Sequence, residues 1–198
     1  GWAMENLSRY RKTDYPVDPL FRDRWSPRAM SGEALDHEEL MVLFEAARWA
    51  PSSYNNQPWR FVYARRGTEY WQPFLDLLVD FNRGWAHTAG ALIIIAARKT
   101  FDDGRPSVTH ALDTGAAWEN LALQGASRGL VVHGMEGFDY ERAHRIAGFS
   151  GDFEVLAMAA VGRPGRKEDL DPALQEREVP SDRKPLSEQV FEGRFRRE

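Results

Sequence analysis

Apolar and polar residues follow two different periods along the middle of the chain, and these periods predict both helices and strands. Asp36, with Glu39 three positions later, precedes apolar residues at helical spacing, which is typical of a helix start. Leu92–Ile95, by contrast, is an uninterrupted apolar run rich in β-branched residues, which is typical of a buried strand. The whole pattern predicts strands over 59–64, 92–95, 130–132 and 155–161, and helices over 36–50, 71–81, 107–129 and 139–147.

Strands and helices are intermixed along the chain, so the predicted fold class is α+β. The 198 residues lie near the upper end of the roughly 100–200 expected of one domain. We therefore expect an N-terminal arm over 1–23, a core domain over 24–162 and a C-terminal extension over 163–198.

The longest predicted helix, 107–129, carries small residues among larger Leu and Trp side chains. Small side chains allow two helices to pack closely. The extension from Arg163 onward is charged and interrupted by Pro, so it becomes ordered only by wrapping another structure. We therefore expect an obligate homodimer, in which this helix packs against its counterpart and the extension embraces the partner. The small residues are Gly115, Ala116, Ala117, Ala122, Gly125 and Ala126.

Composition excludes several classes of protein. Apolar residues make up 42% of the chain and charged residues 28%, as in a globular protein with a wet surface. The net charge is −4 and the basic residues are dispersed, so we expect no nucleic-acid partner. The longest apolar run, 89–97, is too short to span a membrane. Residues 2–12 lack the apolar core of a signal peptide, so the expected compartment is the cytoplasm.

The chain contains no Cys, which excludes disulfides, thiolate catalysis and Cys-ligated metal centres. Its five His residues show no metal-ligand spacing, so we expect them in surface or packing roles, and we expect no metal site. A protein of this composition that moves electrons must therefore borrow a redox cofactor.

Arg24, Ser26 and Arg28 alternate along a short segment, so an extended backbone places all three on one side. Two guanidinium forks and a hydroxyl can together bind a phosphate dianion. Taken alone, the same pattern also fits a solvated basic turn.

The loop between Pro51 and Trp59 is more unusual, because it places five Ser, Asn and Gln residues between a predicted helix and a predicted strand. Its donors and acceptors can bind the edge of a heterocycle, although a plain surface turn would also contain Ser and Asn. Asn82 precedes one predicted strand, and Glu136 and Gly137 follow another. Glycines at such positions permit close approach of a flat ligand, and simple turns are the alternative there.

In this order, these segments resemble the nitroreductase family of FMN enzymes. The match runs from about Arg24 to Arg183, and its most specific part is the sequence Pro-Ser-Ser-Tyr-Asn-Asn-Gln-Pro-Trp over 51–59. The resemblance implies a nitroreductase-like fold, with a central mixed β-sheet flanked by helices in an intertwined homodimer that has its flavin sites at the subunit interface.

The resemblance also implies a role for each site residue. Arg24, Ser26 and Arg28, with Trp25 in the same segment, would hold the FMN phosphate, and Arg183 would approach it from another side. Family members often carry Lys two positions before that Arg, where this chain has Ser181. The remaining implied cofactor-binding residues are Ser52, Ser53, Asn55 and Gln57 from the opposite subunit, Asn82 at the pyrimidine edge, and Glu136 and Gly137 near the reactive nitrogen.

The implied activity is an NAD(P)H oxidoreductase that passes hydride through FMN to nitroaromatic, quinone or similar small aromatic acceptors in a ping-pong cycle. The flavin is then the redox centre, and no side chain is required as a catalytic acid or base. Two alternatives stay open: another reaction of the same fold, such as reductive dehalogenation or flavin modification, and a non-catalytic flavin-binding protein.

Overall fold

Four strands form one sheet in the computed structural model, which describes residues 4–196. Their spatial order is β1–β2–β4–β3, and each adjacent pair is antiparallel. The α+β class is confirmed, but the sheet formed by these residues is antiparallel rather than mixed. β2 and β3 run in the same direction, yet β4 lies between them and pairs antiparallel with both. The strands are β1 (Trp59–Arg65), β2 (Ala91–Arg98), β3 (Val131–Met135) and β4 (Phe153–Gly162).

Helices cover both faces of this sheet, which explains why β2 is buried along nearly its whole length. Ile93 and Ile95 pack with the helices α2 and α5 on one face. Leu92 and Ile94 belong to the core cluster on the other face, with Trp85. The helices are α1 (Pro19–Asp23), α2 (His37–Arg48), α3 (Trp71–Leu75), α4 (Asp80–Ala86), α5 (His110–Ser127), α6 (Tyr140–Ala147) and α7 (Pro172–Gln175).

The start of α2 is as predicted. The Asp36 carboxylate accepts a hydrogen bond from the Glu39 backbone N–H at 2.8 Å, and the Glu39 carboxylate accepts one from the Asp36 N–H at 3.0 Å. This reciprocal capping box satisfies two backbone donors that the first turn of a helix leaves without partners.

The predicted helix over 71–81 is wrong, because the chain breaks there into α3 and α4. Leu78 forms an isolated antiparallel bridge with Phe138, and the Val79 backbone N–H donates to the Gly137 carbonyl at 3.0 Å. The Leu78 N–H still donates to the Leu75 carbonyl, and from Val79 the long-range bond takes the place of a helical one. Asn82 therefore lies within α4 and not in a turn after a helix.

The segments before α1 and after β4 are only partly packed against the rest of the structure: Leu7 and Leu174 are buried, whereas residues 181–190 are exposed. The segment after β4 forms an isolated bridge between Pro164 and Met30, then continues through α7 and two short 3₁₀ turns. The expected arm over 1–23 and extension over 163–198 include residues 1–3 and 197–198, which lie outside the described part of the chain. The boundaries of these two regions stay predictions.

Candidate functional site

The chain leaves α1 at Arg24 with an extended backbone at that residue, as the phosphate prediction requires of the start of the segment. The Arg24 Nη1 donates to the Ser26 hydroxyl at 3.3 Å, so these two side chains lie on the same side. Trp25 and Pro27 instead line a separate cavity of about 480 Å³. The structure thus brings Arg24 and Ser26 together and turns the Trp25 side chain away from them.

The Arg28 side chain points toward α4, where its guanidinium carbon lies 5.7 Å from the Trp85 ring and 5.8 Å from the Phe81 ring. Burial lowers the pKa of Arg28, and the nearby Glu178 carboxylate opposes that shift. The Arg28 Nε is buried and has no hydrogen-bond partner among residues 4–196. A buried cation with an unused donor is costly and favours an anionic ligand nearby.

Glu178 fixes the backbone of this segment. Its carboxylate accepts hydrogen bonds from the backbone N–H groups of Arg28, at 2.8 Å, and Ala29, at 2.7 Å. Glu178 is buried, and the two bonded residues precede it by about 150 positions. The pattern of the sequence contains no signal for such a contact, and Glu178 was not predicted as a site residue.

His133, on β3, contacts the same segment through the Pro27 carbonyl. Its Nδ1 lies 2.9 Å from the Pro27 carbonyl oxygen and its ring centroid 4.4 Å from that of Trp85. Since a carbonyl only accepts, Nδ1 carries the proton and donates. Burial lowers the pKa of His133, and the charges of Arg28 and Arg24 lower it further. The imidazole is therefore neutral near pH 7, consistent with the packing role expected of it.

Asn82 and Gly137 meet at the carboxyl end of β3. The Asn82 Nδ2 donates to the Gly137 carbonyl at 3.1 Å. A Cβ on Gly137 would lie 2.9 Å from both Asn82 Nδ2 and Val79 Cγ2, so any other residue there would require these two side chains to shift. Glu136 is exposed beside it, and its carbonyl accepts from the Tyr140 hydroxyl at 3.0 Å. The structure thus joins three of the predicted site residues.

Arg183 lies in the C-terminal segment, where its Nη1 donates to the Ser181 hydroxyl at 3.0 Å. It lines a cleft of about 440 Å³ together with Arg11 of the N-terminal arm. Within the described residues no hydrogen bond joins Arg183 directly to Arg24, Ser26 or Arg28. Arg11 connects the two segments instead, and no motif in the sequence marks it.

The loop over 52–57 has a strained backbone. Tyr54, Asn55 and Gln57 have φ angles of 52°, 52° and 50°, in the left-handed region that residues other than Gly and Asn seldom adopt. The Ser52 hydroxyl holds this shape by accepting from the Gln57 N–H at 3.0 Å, and Ser53 N–H donates to the buried Asp113 at 3.2 Å. Maintained strain of this kind is common at ligand-binding loops.

Side chains of α5 contact both the loop over 52–57 and the segment over 24–28. Asp113 near its start anchors Ser53, and the Glu119 carboxylate lies 3.9 Å from Arg24 Nε. In the described part of the single chain, however, no hydrogen bond connects the loop over 52–57 with the segment over 24–28. The surface beside the loop is apolar: Tyr54 is 85% exposed and Leu112, on α5, is 72% exposed. An exposed apolar surface of this kind is typical of an interface.

None of the helices within residues 4–196 has the length and apolar character needed to cross a membrane. The His, Asp and Glu side chains of these residues form no group of three or more that could hold a metal ion.

Comparison with known proteins shows the family. The model of the nitroreductase family matches residues 21–163. The chain belongs to the nitroreductase family. This match contains the segment over 24–28, the loop over 52–57, Asn82 and the pair Glu136–Gly137, but it ends before Arg183.

The chain is also similar to individual proteins over most of its length. A crystal structure described as an oxidoreductase containing FMN is 45% identical, covers 94% of this chain and 96% of its own, and superposes with a TM-score of 0.91. A nitroreductase family protein from Clostridium difficile 630 has a TM-score of 0.68 at 21% identity, covers 89% and 97% of the two chains, and thus supports the fold alone. An uncharacterized 15.4 kDa protein from Mycolicibacterium smegmatis is 35% identical over 144 residues, 69% of this chain and 97% of the relative.

Proposed function

We propose that the chain is an oxidoreductase that transfers hydride from NAD(P)H through bound FMN to nitroaromatic, quinone or similar flat acceptors in a ping-pong cycle. The observation that carries the proposal is the cluster of cationic donors around Arg24 and Arg28, next to the Asn82–Gly137 pair. The 45% identity to an oxidoreductase structure described as containing FMN supports FMN as the ligand of this cluster.

The residues present fit the phosphate of FMN. The carboxylate oxygen paired with Arg24 stays 3.9 Å away, and the Arg28 Nε has no partner among the described residues. Both guanidinium groups therefore keep capacity for another anion. Arg24, Ser26 and Arg28 would hold the phosphate, because charge-assisted bonds from planar guanidinium groups suit its oxygens.

The residues around Gly137 fit a flat ring. Because Asn82 Nδ2 is bonded to the Gly137 carbonyl, its amide oxygen is left to accept from a ring N–H. Gly137 has no side chain to hold a ring away from the backbone. Bound FMN would supply the redox centre that takes hydride from nicotinamide and passes electrons to the acceptor.

We further propose that the functional unit is a homodimer. Ser52, Ser53, Asn55 and Gln57 form a strained loop at an exposed apolar surface. In a two-fold symmetric dimer, this loop of each subunit would complete the site of the other subunit. Each contact in such an interface occurs twice, so both sites would be completed in the same way. Dissociation of the dimer should then release FMN, and flavin retained by separated monomers would contradict a shared site.

The activity is tested by mixing the FMN-loaded protein anaerobically with NADH or NADPH. We expect rapid bleaching of the flavin absorbance, followed by recovery of colour when a quinone or nitroaromatic is added. The matched control is the Arg24→Ala, Arg28→Ala double variant, which should lose FMN on dilution and so lose the rapid phase. A wild-type flavin that stays oxidised with both nucleotides refutes the oxidoreductase and leaves a flavin-binding role.

A further inference from the structure

Arg11 joins the two ends of the chain beside the predicted phosphate site. Its guanidinium is buried, and it donates from Nε to the Ser181 carbonyl at 2.7 Å. Its Nη1 donates to the carbonyls of Arg22, at 2.9 Å, and Arg24, at 2.7 Å. One side chain thus fixes the backbone of Arg24 relative to a segment about 170 residues away in sequence.

The same Ser181 also contacts Arg183. The Arg183 Nη1 donates to the Ser181 hydroxyl at 3.0 Å and lies 3.3 Å from the carbonyl that Arg11 occupies. A displacement of Ser181 would therefore move Arg183. Arg11 consequently sets the position of two other arginines, one through each of its donor groups.

The electrostatics of this cluster favour a bound dianion. Burial lowers the pKa of Arg11, and the charges of Arg183 and Arg24 lower it further, whereas Asp182 and Asp23 oppose the shift. The Asp23 carboxylate is already engaged by Arg22 at 2.8 Å and by a backbone N–H. Like charges held together in a partly buried site repel one another, and a phosphate placed among them removes that repulsion.

We propose that Arg11 is a positioning residue for the cofactor phosphate, holding Arg24 and the Ser181–Arg183 segment so that both can bind one dianion. The inference rests on the proposed function, because it takes the dianion to be the FMN phosphate. Arg11 is 7% exposed and its Nε and Nη1 both donate to backbone carbonyls, so these two donor groups act through the neighbours that they hold.

The test compares FMN with riboflavin, which has the same ring system and no phosphate. Arg11→Met keeps an unbranched apolar stem and removes the guanidinium. We expect it to weaken FMN binding about ten- to a hundredfold relative to riboflavin, because a displaced Arg24 or Arg183 would lose a charge-assisted bond to the phosphate. Arg11→Lys, which keeps the charge and at least one donor, should recover part of the loss. Arg9 is an exposed Arg of the same arm, so Arg9→Met should leave the ratio of FMN affinity to riboflavin affinity unchanged.

A double-mutant cycle separates positioning from general stability. If Arg11 acts partly through Arg183, Arg11→Met should cost less FMN affinity in an Arg183→Ala background than in the wild type. The ³¹P resonance of bound FMN should also move in Arg11→Met, reporting the phosphate environment without any turnover.

Three outcomes overturn the inference. They are equal losses for FMN and riboflavin in Arg11→Met, full additivity with Arg183→Ala, and an unshifted ³¹P resonance. If Arg11→Met does not fold, the ratio of FMN affinity to riboflavin affinity is compared between Arg11→Lys and the wild type instead. Failure of the proposed function looks different, because wild-type protein would then show no preference for FMN or no bleaching with nicotinamide.

Discussion

Replacing Gly115 with Ala tests the proposed dimer interface. The substitution should stabilise the protein if this face of α5 is free and destabilise the dimer if the face packs against a partner. It lies inside α5 on the exposed side, and a Cβ built there would meet no atom of the described chain within 4 Å. Gly125 of the same helix differs, because its Cβ would lie 2.4 Å from Val132 Cγ2. Packing within the chain therefore requires glycine at Gly125 but not at Gly115.

The expected magnitudes have opposite signs in the two states. In an isolated chain, Gly115→Ala should raise the free energy of unfolding by ~1 kcal/mol, since Ala is the better helix former. If two copies of α5 pack closely at Gly115, the added methyl group overpacks the interface at a cost of about 1–3 kcal/mol. That cost corresponds to a dimer that is weaker by roughly 5- to 150-fold.

Sedimentation equilibrium measures the dimer dissociation constant, and urea denaturation over a range of protein concentrations measures stability. Gly84→Ala is the matched control, because Gly84 is also helical and exposed and its Cβ would meet nothing within 4 Å. We expect it to leave the dissociation constant unchanged. If Gly115→Ala stabilises the protein and the dimer is unaffected, α5 does not mediate a close approach of two subunits.

Three further predictions concern single side chains. Arg28→Ala should weaken FMN binding about ten- to a hundredfold and riboflavin binding far less, as measured by fluorescence quenching; equal losses would assign Arg28 to the fold. Asp36→Ala should lower the free energy of unfolding by ~1 kcal/mol through loss of the α2 cap, whereas Asp36→Ser should retain most of it; urea titration decides. Burial lowers the folded-state pKa of His133 below its ordinary value of 6.5, so the unfolded state binds the proton more readily. Stability should therefore be fully present above about pH 6.5 and fall as pH drops below it, and His133→Gln should flatten that slope in a pH series of melts; an unchanged slope would contradict a buried neutral His133.

The strongly patterned elements could be predicted from the sequence, because their local and tertiary preferences agree. The apolar run at Ile93 and Ile95 becomes the central strand β2, and the Asp36 capping box starts α2. The prediction fails over 71–81, where Trp71, Phe74, Leu75 and Leu78 have helical spacing but tertiary bonds compete. There the chain bends because Leu78 and Val79 pair with the segment that follows β3.

The residues of the candidate site likewise fall into two groups, those that a local sequence pattern predicts and those that it does not. Arg24, Ser26 and the loop over 52–57 could be found because they are short, local patterns of donors. Arg11 and Glu178 could not, since each acts on residues far away in sequence through backbone atoms. A side chain that binds backbone carbonyls or N–H groups places no constraint on the identity of its partners, so it produces no motif.

The segment proposed to bind phosphate is consequently held by residues that precede the sheet in sequence and by residues that follow it. Its backbone bonds to Glu178 through Arg28 and Ala29, and the Ala29 carbonyl accepts from the Gly165 N–H at 2.9 Å. Arg11 adds the bond to Ser181. All of these C-terminal partners lie beyond residue 162, whereas the expected core domain ends there. Preorganised donors bind more tightly because less order must be imposed on binding. The extension therefore holds the backbone of the segment that we propose binds the FMN phosphate, whether or not it also embraces a partner.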